Sequence, residues 1–180
     1  MTAVFAAIAM GSTPAWAAGI HEGGHNNVGN IGQPGVEKEI NRTIEVSLQD
    51  NFFEPGEITV RSGETLRFIL KNEGEFVHEF NIGTPLMHAA HQEEMMMMIE
   101  HGVLELDKIN RDMMKMDMGD GKIMAHDDPN SKLLEPGETM EIIWKFSEEM
   151  SLEFACNIPG HYDSGMAGIF NFTTEVAQSN

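Results

Sequence analysis

Cysteine and basic side chains are scarce in this chain, and each scarcity excludes something. A single cysteine among 180 residues, Cys156, rules out an internal disulfide framework. Eleven Lys and Arg face 29 Asp and Glu, a formal net charge of -18. So acidic a chain repels phosphate backbones and anionic headgroups, which argues against binding nucleic acid or lipid surfaces. No apolar run is long enough to span a bilayer. Hydrophobic and charged fractions of 41% and 22% are those of an ordinary globular protein, which excludes wholesale disorder. What is abundant is methionine, with 15 copies against one Tyr and two Trp.

Residues 3–10 (AVFAAIAM) form a short apolar run, followed by Gly11, Pro14 and then Ala15-Trp16-Ala17. That pattern predicts a cleaved secretory signal over residues 1–17 and a periplasmic protein, although no Lys or Arg precedes the run. An unpaired thiol is a liability in an oxidising compartment, and a metal bond to the sulfur removes it. Residues 18–39, rich in Gly, Asn and Gln, read as a flexible arm carrying His21 and His25.

From residue 40 the style changes. Ile44, Val46 and Leu48 alternate with Glu45, Ser47 and Gln49, as in a half-buried strand. Further short strands are expected at Ile58–Val60, Leu66–Leu70, Phe76–Ile82, Thr139–Phe146, Leu152–Cys156 and Gly168–Val176, separated by Pro-Gly and Gly turns. This spacing predicts an all-β, antiparallel sandwich or barrel. An insertion at about 84–134 interrupts it, with ten of the fifteen methionines and four of the eight histidines. Its stretch from His91 to Met118 has no turn residue except Gly102 and is expected to be helical in one or two pieces. His91, Met95, Met98 and Gly102 would share one stripe. A connection this long points to function rather than filler.

The densest chemical signal is Cys156-Asn157-Ile158-Pro159-Gly160-His161-Tyr162-Asp163-Ser164-Gly165-Met166. A thiolate, an imidazole and a thioether at C-x4-H-x4-M can converge on one ion from a single loop. His78, on the strand Phe76–Ile82, supplies a second imidazole. Two imidazoles, a thiolate and a weak thioether are the donor set of a type 1, electron-transfer copper site. Taken singly, Cys156 is a small buried hydrophobe, His78 a core histidine and Met166 packing. Structural zinc seldom uses methionine, and a nucleophilic Cys-His pair would want Cys156 at a helix start that lowers its pKa.

The loop C-N-I-P-G-H-Y-D-S-G-M, the strand F-V-H-E-F and the turn E-P-G-E-T resemble the cupredoxins, the small blue-copper proteins. Cys156, Pro159, Gly160, His161 and Met166 resemble the ligand loop of azurin and auracyanin, and His78 matches the family's upstream histidine. The resemblance covers about half the chain and implies a Greek-key β-sandwich holding one copper ion through His78, Cys156, His161 and Met166. With its export signal, histidine-bearing arm and Met/His-rich insertion, the chain is most similar to the periplasmic copper-tolerance (CopI-like) cupredoxins. Many members carry Asn directly after the first histidine ligand, where its side chain ties the two ligand segments together. This chain has Glu79, so the resemblance does not carry that tie across.

Secondary copper positions are expected from the remaining soft and borderline donors. These are His21 and His25 in the arm, and His88, His91, Met95, Met98, His101, Met113, Met114, Met116, Met118 and His126 in the insertion. Packing is the equal alternative for the methionines. Two roles remain open: protection against excess copper with one-electron Cu(I)/Cu(II) chemistry, or electron carriage to a basic redox protein such as a cytochrome. No catalytic residue is assigned.

Overall fold

The computed structural model describes residues 31–117, 123–126, 128–147 and 150–173. The expected signal segment, His21, His25 and Met118 lie outside the described residues. Two five-stranded sheets face one another. The first is built from β1 (Gln33–Pro34), β2 (Arg42–Gln49), β3 (Phe52–Glu54), β5 (Thr65–Asn72) and β10 (Thr139–Lys145), in the order β1-β10-β5-β2-β3. The second is built from β4 (Glu57–Val60), β6 (His78–Gly83), β9 (Ser131–Leu134), β11 (Glu153–Ala155) and β12 (Ala167–Phe172), in the order β4-β12-β11-β6-β9.

Alternation does what the sequence implies. Val46 and Leu48 on β2, Leu66, Phe68 and Leu70 on β5, and Ile142 and Trp144 on β10 point inward. They meet Phe80, Phe154 and Phe170 from the other sheet, with centroids 5.5 Å apart for Phe68–Phe80 and 6.1 Å for Phe68–Phe170. Cys156 and Met166 belong to this same core.

Pairing departs from the antiparallel expectation in two places. β2 runs parallel to β5, and β4 parallel to β12. After β2 and the edge strand β3, the chain crosses to the second sheet as β4 and returns as β5. That long crossover is what parallel neighbours require.

The arm is tied down at its end: β1 pairs with β10, and the Trp144 indole donates to the Ile31 carbonyl at 3.0 Å. A buried indole N–H needs an acceptor, and this segment supplies it.

The insertion follows β6 directly. Its helix, α1, spans Pro85–Glu100, starting earlier and ending sooner than periodicity implies. The Thr84 hydroxyl accepts from the Met87 N–H and Pro85 takes the first helical position, so the start is fixed there. At the other end Gly102 adopts φ +72°, with Gly102 N–H on the Ile99 carbonyl and Val103 N–H on the Met98 carbonyl. That closing pair needs a residue tolerant of positive φ. Beyond it come a 3-10 turn at Arg111–Met113 and a hairpin of β7 (Lys115–Asp117) and β8 (Ile123–Ala125), then β9, which pairs with β6. Val77, Met95, Met98, Val103, Leu104, Ile109 and Leu133 form a second small core, against which Ile158 also packs. No helix among the described residues is long and apolar enough to cross a membrane.

Candidate metal centre

β6 and β11 are antiparallel neighbours with Ala155 opposite Asn81, which carries Cys156, one residue on, toward the His78 end of β6. The Glu79 backbone N–H donates to the Cys156 Sγ at 3.3 Å. The loop after Cys156 closes on itself. Cys156 N–H bonds the Met166 carbonyl (3.1 Å), Met166 N–H the His161 carbonyl (3.0 Å), and His161 N–H the Ile158 carbonyl (2.9 Å). His161 is thereby folded back over the sulfur, with Nδ1 3.3 Å from Sγ.

The donor atoms of His78, Cys156 and His161 lie within 4.8 Å of one another. His78 Nε2 is 2.8 Å from Asp50 Oδ1, while its Nδ1 is buried with no hydrogen-bond partner. With the proton held on Nε2 by the carboxylate, the Nδ1 lone pair is left for a metal. Gly74 permits this contact, because a Cβ there would collide with Asp50 Oδ1 and crowd His78 Nε2. Burial pushes the Cys156 thiol up to about 12. Burial also pushes His78 down, against the pull of Asp50, and His161 down, with the neighbouring His78 adding to it. At neutral pH the metal-free donors are therefore uncharged, and a cation that displaces the thiol proton gains a thiolate. Met166 is fully buried in the same core as Cys156. An orphaned buried nitrogen, a thiol and a second imidazole suit a soft-to-borderline ion such as copper.

Glu79 makes the tie that its departure from Asn had left open. Its fully buried carboxylate accepts from Asn157 N–H at 3.1 Å and Asn157 Nδ2 at 2.8 Å, joining β6 to the residue after Cys156. The Ser131 hydroxyl donates to its other oxygen at 2.5 Å, and His91 Nε2 lies 2.9 Å from that oxygen.

The insertion thus reaches the centre's back. His91, Glu94, His126 and Asp128 place donor atoms within 4.8 Å of one another. Burial disfavours both imidazolium ions, but Glu79 and Glu94 outweigh it and raise His91 to about 10 and His126 to about 9. Burial opposes the ionised Glu94 as well, yet the two histidines hold it at about 2. The other expected positions are scattered. His88 is buried against Tyr162, and His101 caps α1 with Nδ1 2.7 Å from the Met97 carbonyl. Met95 and Met98 are buried in the insertion's core, Met113 and Met114 pack partly against it, and Met116 lies in β7.

Asp50, the Glu79 carboxylate, Glu94 and Asp128 were not singled out from the sequence. Glu94 three residues after His91 on one helix, and Asp128 two after His126, were signals available to find two of them. Asp50 is 28 residues from His78 and carries no local signal.

Residues 40–172 match the family of copper-binding proteins that includes plastocyanin and azurin. The copper-resistant cuproprotein CopI of Pseudomonas aeruginosa is 48% identical over 144 residues, covering 77% of this chain and 80% of that one. The copper-resistant cuproprotein CopI of Rubrivivax gelatinosus is 36% identical over 151 residues, covering 82% and 78%. In fold the chain is similar to auracyanin B, with a TM-score of 0.57 at 19% identity over 79% of this chain and 96% of that one. The reduced auracyanin of Roseiflexus castenholzii gives 0.51 at 25% identity over 75% and 99%. With a β-sandwich, a His-Cys-His cluster at the end of its core and this match over most of its length, the chain belongs to the plastocyanin/azurin family of copper-binding proteins, the cupredoxins.

Proposed function

We propose that the protein is an exported, periplasmic copper-tolerance protein that holds one type 1 copper ion through His78, Cys156 and His161, with Met166 as the weak fourth donor. The observation that carries this reading is the buried, unpartnered Nδ1 of His78 beside Cys156 and His161. Two relatives that bear the name copper-resistant cuproprotein support the tolerance role. Copper in such a donor set supplies one-electron Cu(I)/Cu(II) chemistry.

The chain's own residues set the conditions for that exchange. Asp50 fixes the ring of His78, the Glu79 N–H stabilises negative charge on Cys156 Sγ, and the Glu79–Asn157 bonds hold the two ligand segments at constant separation. His161 is half-buried, and with Ile158, Pro159 and Ala167 it forms the part of the centre that a partner can touch. That exposure favours a second reading, electron exchange with a basic redox protein such as a cytochrome, to which the -18 charge is complementary.

Copper titration of the full chain, following visible thiolate-to-copper absorption and bound metal together, tests the centre. Colour is expected to saturate at one equivalent and to be absent in Cys156→Ala. Colour that survives Cys156→Ala overturns the assignment. Loss of copper tolerance in a strain carrying Cys156→Ala supports protection, and full tolerance with lost electron transfer supports the carrier.

A further inference from the structure

The insertion holds a second concentration of donors that the proposed copper centre does not use. His91 and Glu94 sit one turn apart on α1, and His126 and Asp128 follow β8. His91 Nδ1 is 3.1 Å from Glu94 Oε2, and His126 Nδ1 is 3.5 Å from Glu94 Oε1. All four residues offer donor atoms within 4.8 Å of one another. An ion bonded at about 2.0–2.2 Å to each needs only rotamer-scale closing of such a set.

The two rings are oriented alike: Nδ1 of each faces Glu94, while Nε2 of each faces Glu79 Oε1, at 2.9 Å from His91 and 3.6 Å from His126. An ion held on the Nδ1 edge therefore leaves both Nε2 positions to the buried Glu79 carboxylate, the kind of partner that orients a ligating imidazole. The donor set differs in kind from the first: two imidazoles and two carboxylates, with no sulfur. Nitrogen and oxygen donors suit Cu(II), which also tops the affinity order of the divalent first-row ions.

We propose that His91, Glu94, His126 and Asp128 form a second metal site, one that takes Cu(II), in which the insertion covers the back of the type 1 centre. Glu79 lies between the two sites. Its backbone N–H reaches Cys156, its carboxylate reaches His91, and neither ligand set includes it. The helix and hairpin of the insertion thereby gain a purpose that a plain electron carrier does not need: a Cu(II)-holding position beside a redox-active one.

The test uses the full chain with Cys156→Ala, His21→Ala and His25→Ala, which removes the type 1 sulfur and the arm histidines. This background is expected to bind one Cu(II) per chain, without thiolate colour and with an electron paramagnetic resonance signal showing imidazole nitrogen coupling. Adding His91→Ala and His126→Ala is expected to weaken that binding on the order of 100-fold or more, and Glu94→Gln with Asp128→Asn by about 10-fold or more. Unchanged affinity in both double variants overturns the proposal. The carboxamide variants preserve shape, so a folding failure of the alanine pair does not blunt the test. The same changes made with Cys156 intact report on the other centre. Type 1 colour retained without the second equivalent supports two separate sites, and failure of the type 1 reading leaves the result in the Cys156→Ala background standing.

Discussion

His78 and His161 lie with ring centroids 5.1 Å apart, and so do His91 and His126. One pair sits at the end of the sandwich core and the other under the insertion. Spacing is the same, and the chemistry is opposite. The first pair faces a buried neutral thiol and a single partly exposed carboxylate, so burial prevails and both rings are pushed toward the neutral form. The second pair is buried too, but Glu79 and Glu94 flank it and the rings are pushed toward the charged form. Neighbouring charge, and not the distance between imidazoles, decides what each pair binds in the absence of metal.

The largest expected effect breaks this contrast at its shared residue. Glu79→Gln removes the buried negative charge that His91 and His126 answer, leaving two imidazolium ions short of a counter-charge. Breaking a buried ion pair from one side costs about 3–5 kcal/mol, and a loss of that size is expected in urea unfolding of the metal-free protein at neutral pH. Asp50→Asn is the matched control at the other pair. Its amide oxygen still accepts from His78 Nε2, and the site is partly solvated, so a cost of about 1 kcal/mol or less is expected. Equal losses for the two variants would show that the pairs are not electrostatically distinct.

A smaller effect comes from pH. His91 and His126, raised from 6.5 to about 10 and about 9, contribute stability that is complete below pH 6.5 and is lost as pH rises through those values. Glu94, lowered from 4.5 to about 2, contributes stability above pH 4.5 that is lost as pH falls toward 2. His78 and His161 are lowered from 6.5, so the unfolded chain takes up their protons first and stability falls below pH 6.5. In the metal-free protein, the urea-midpoint difference between wild type and His91→Gln is therefore expected to shrink from pH 7 to about 10. For His161→Gln it should stay constant over that window. A constant gap for both would remove the charge asymmetry.

How far each region was legible in the sequence follows the same division. Cys156, His161 and Met166 fall within eleven residues of one loop, and His78 on a strand with clear alternation, so the first cluster was readable from local pattern. The strands were readable too, because burial on one face imposes period two. The second cluster joins a helix to the segment after a hairpin 35 residues away; His91 with Glu94 and His126 with Asp128 each carry a local signal, but nothing local shows that the two pairs meet. Glu79 was readable as a departure, yet not as the group that binds Asn157 and His91, since nothing local turns a carboxylate inward. The parallel pairings and the attachment of Ile31 to Trp144 were hidden for the same reason: they are contacts between distant segments. The helix limits were within reach, because Thr84-Pro85 and Gly102 are recognisable start and stop residues.

The smallest expected effects separate methionines that burial alone cannot distinguish. Met95 and Met166 are both fully buried and Met98 is 2% exposed, but their neighbours differ. Met95 and Met98 pack among Val77, Val103, Leu104 and Leu133, whereas Met166 packs beside Cys156 at the end of the ligand loop. Leucine conserves volume at each position, so a loss below about 1.5 kcal/mol is expected for all three variants. Their metal chemistry should diverge. Met95→Leu and Met98→Leu are expected to keep the full copper stoichiometry, because a thioether enclosed by valine and leucine has packing as its work. Met166→Leu is expected to keep the colour, which comes from the thiolate, and to raise the reduction potential. Removing a weak donor withdraws more stabilisation from Cu(II) than from Cu(I), and voltammetry reads the shift directly. A copper equivalent lost from Met95→Leu would instead make the insertion's core a thioether site, and the contrast between a sulfur-bearing sandwich end and a nitrogen-oxygen insertion would fail.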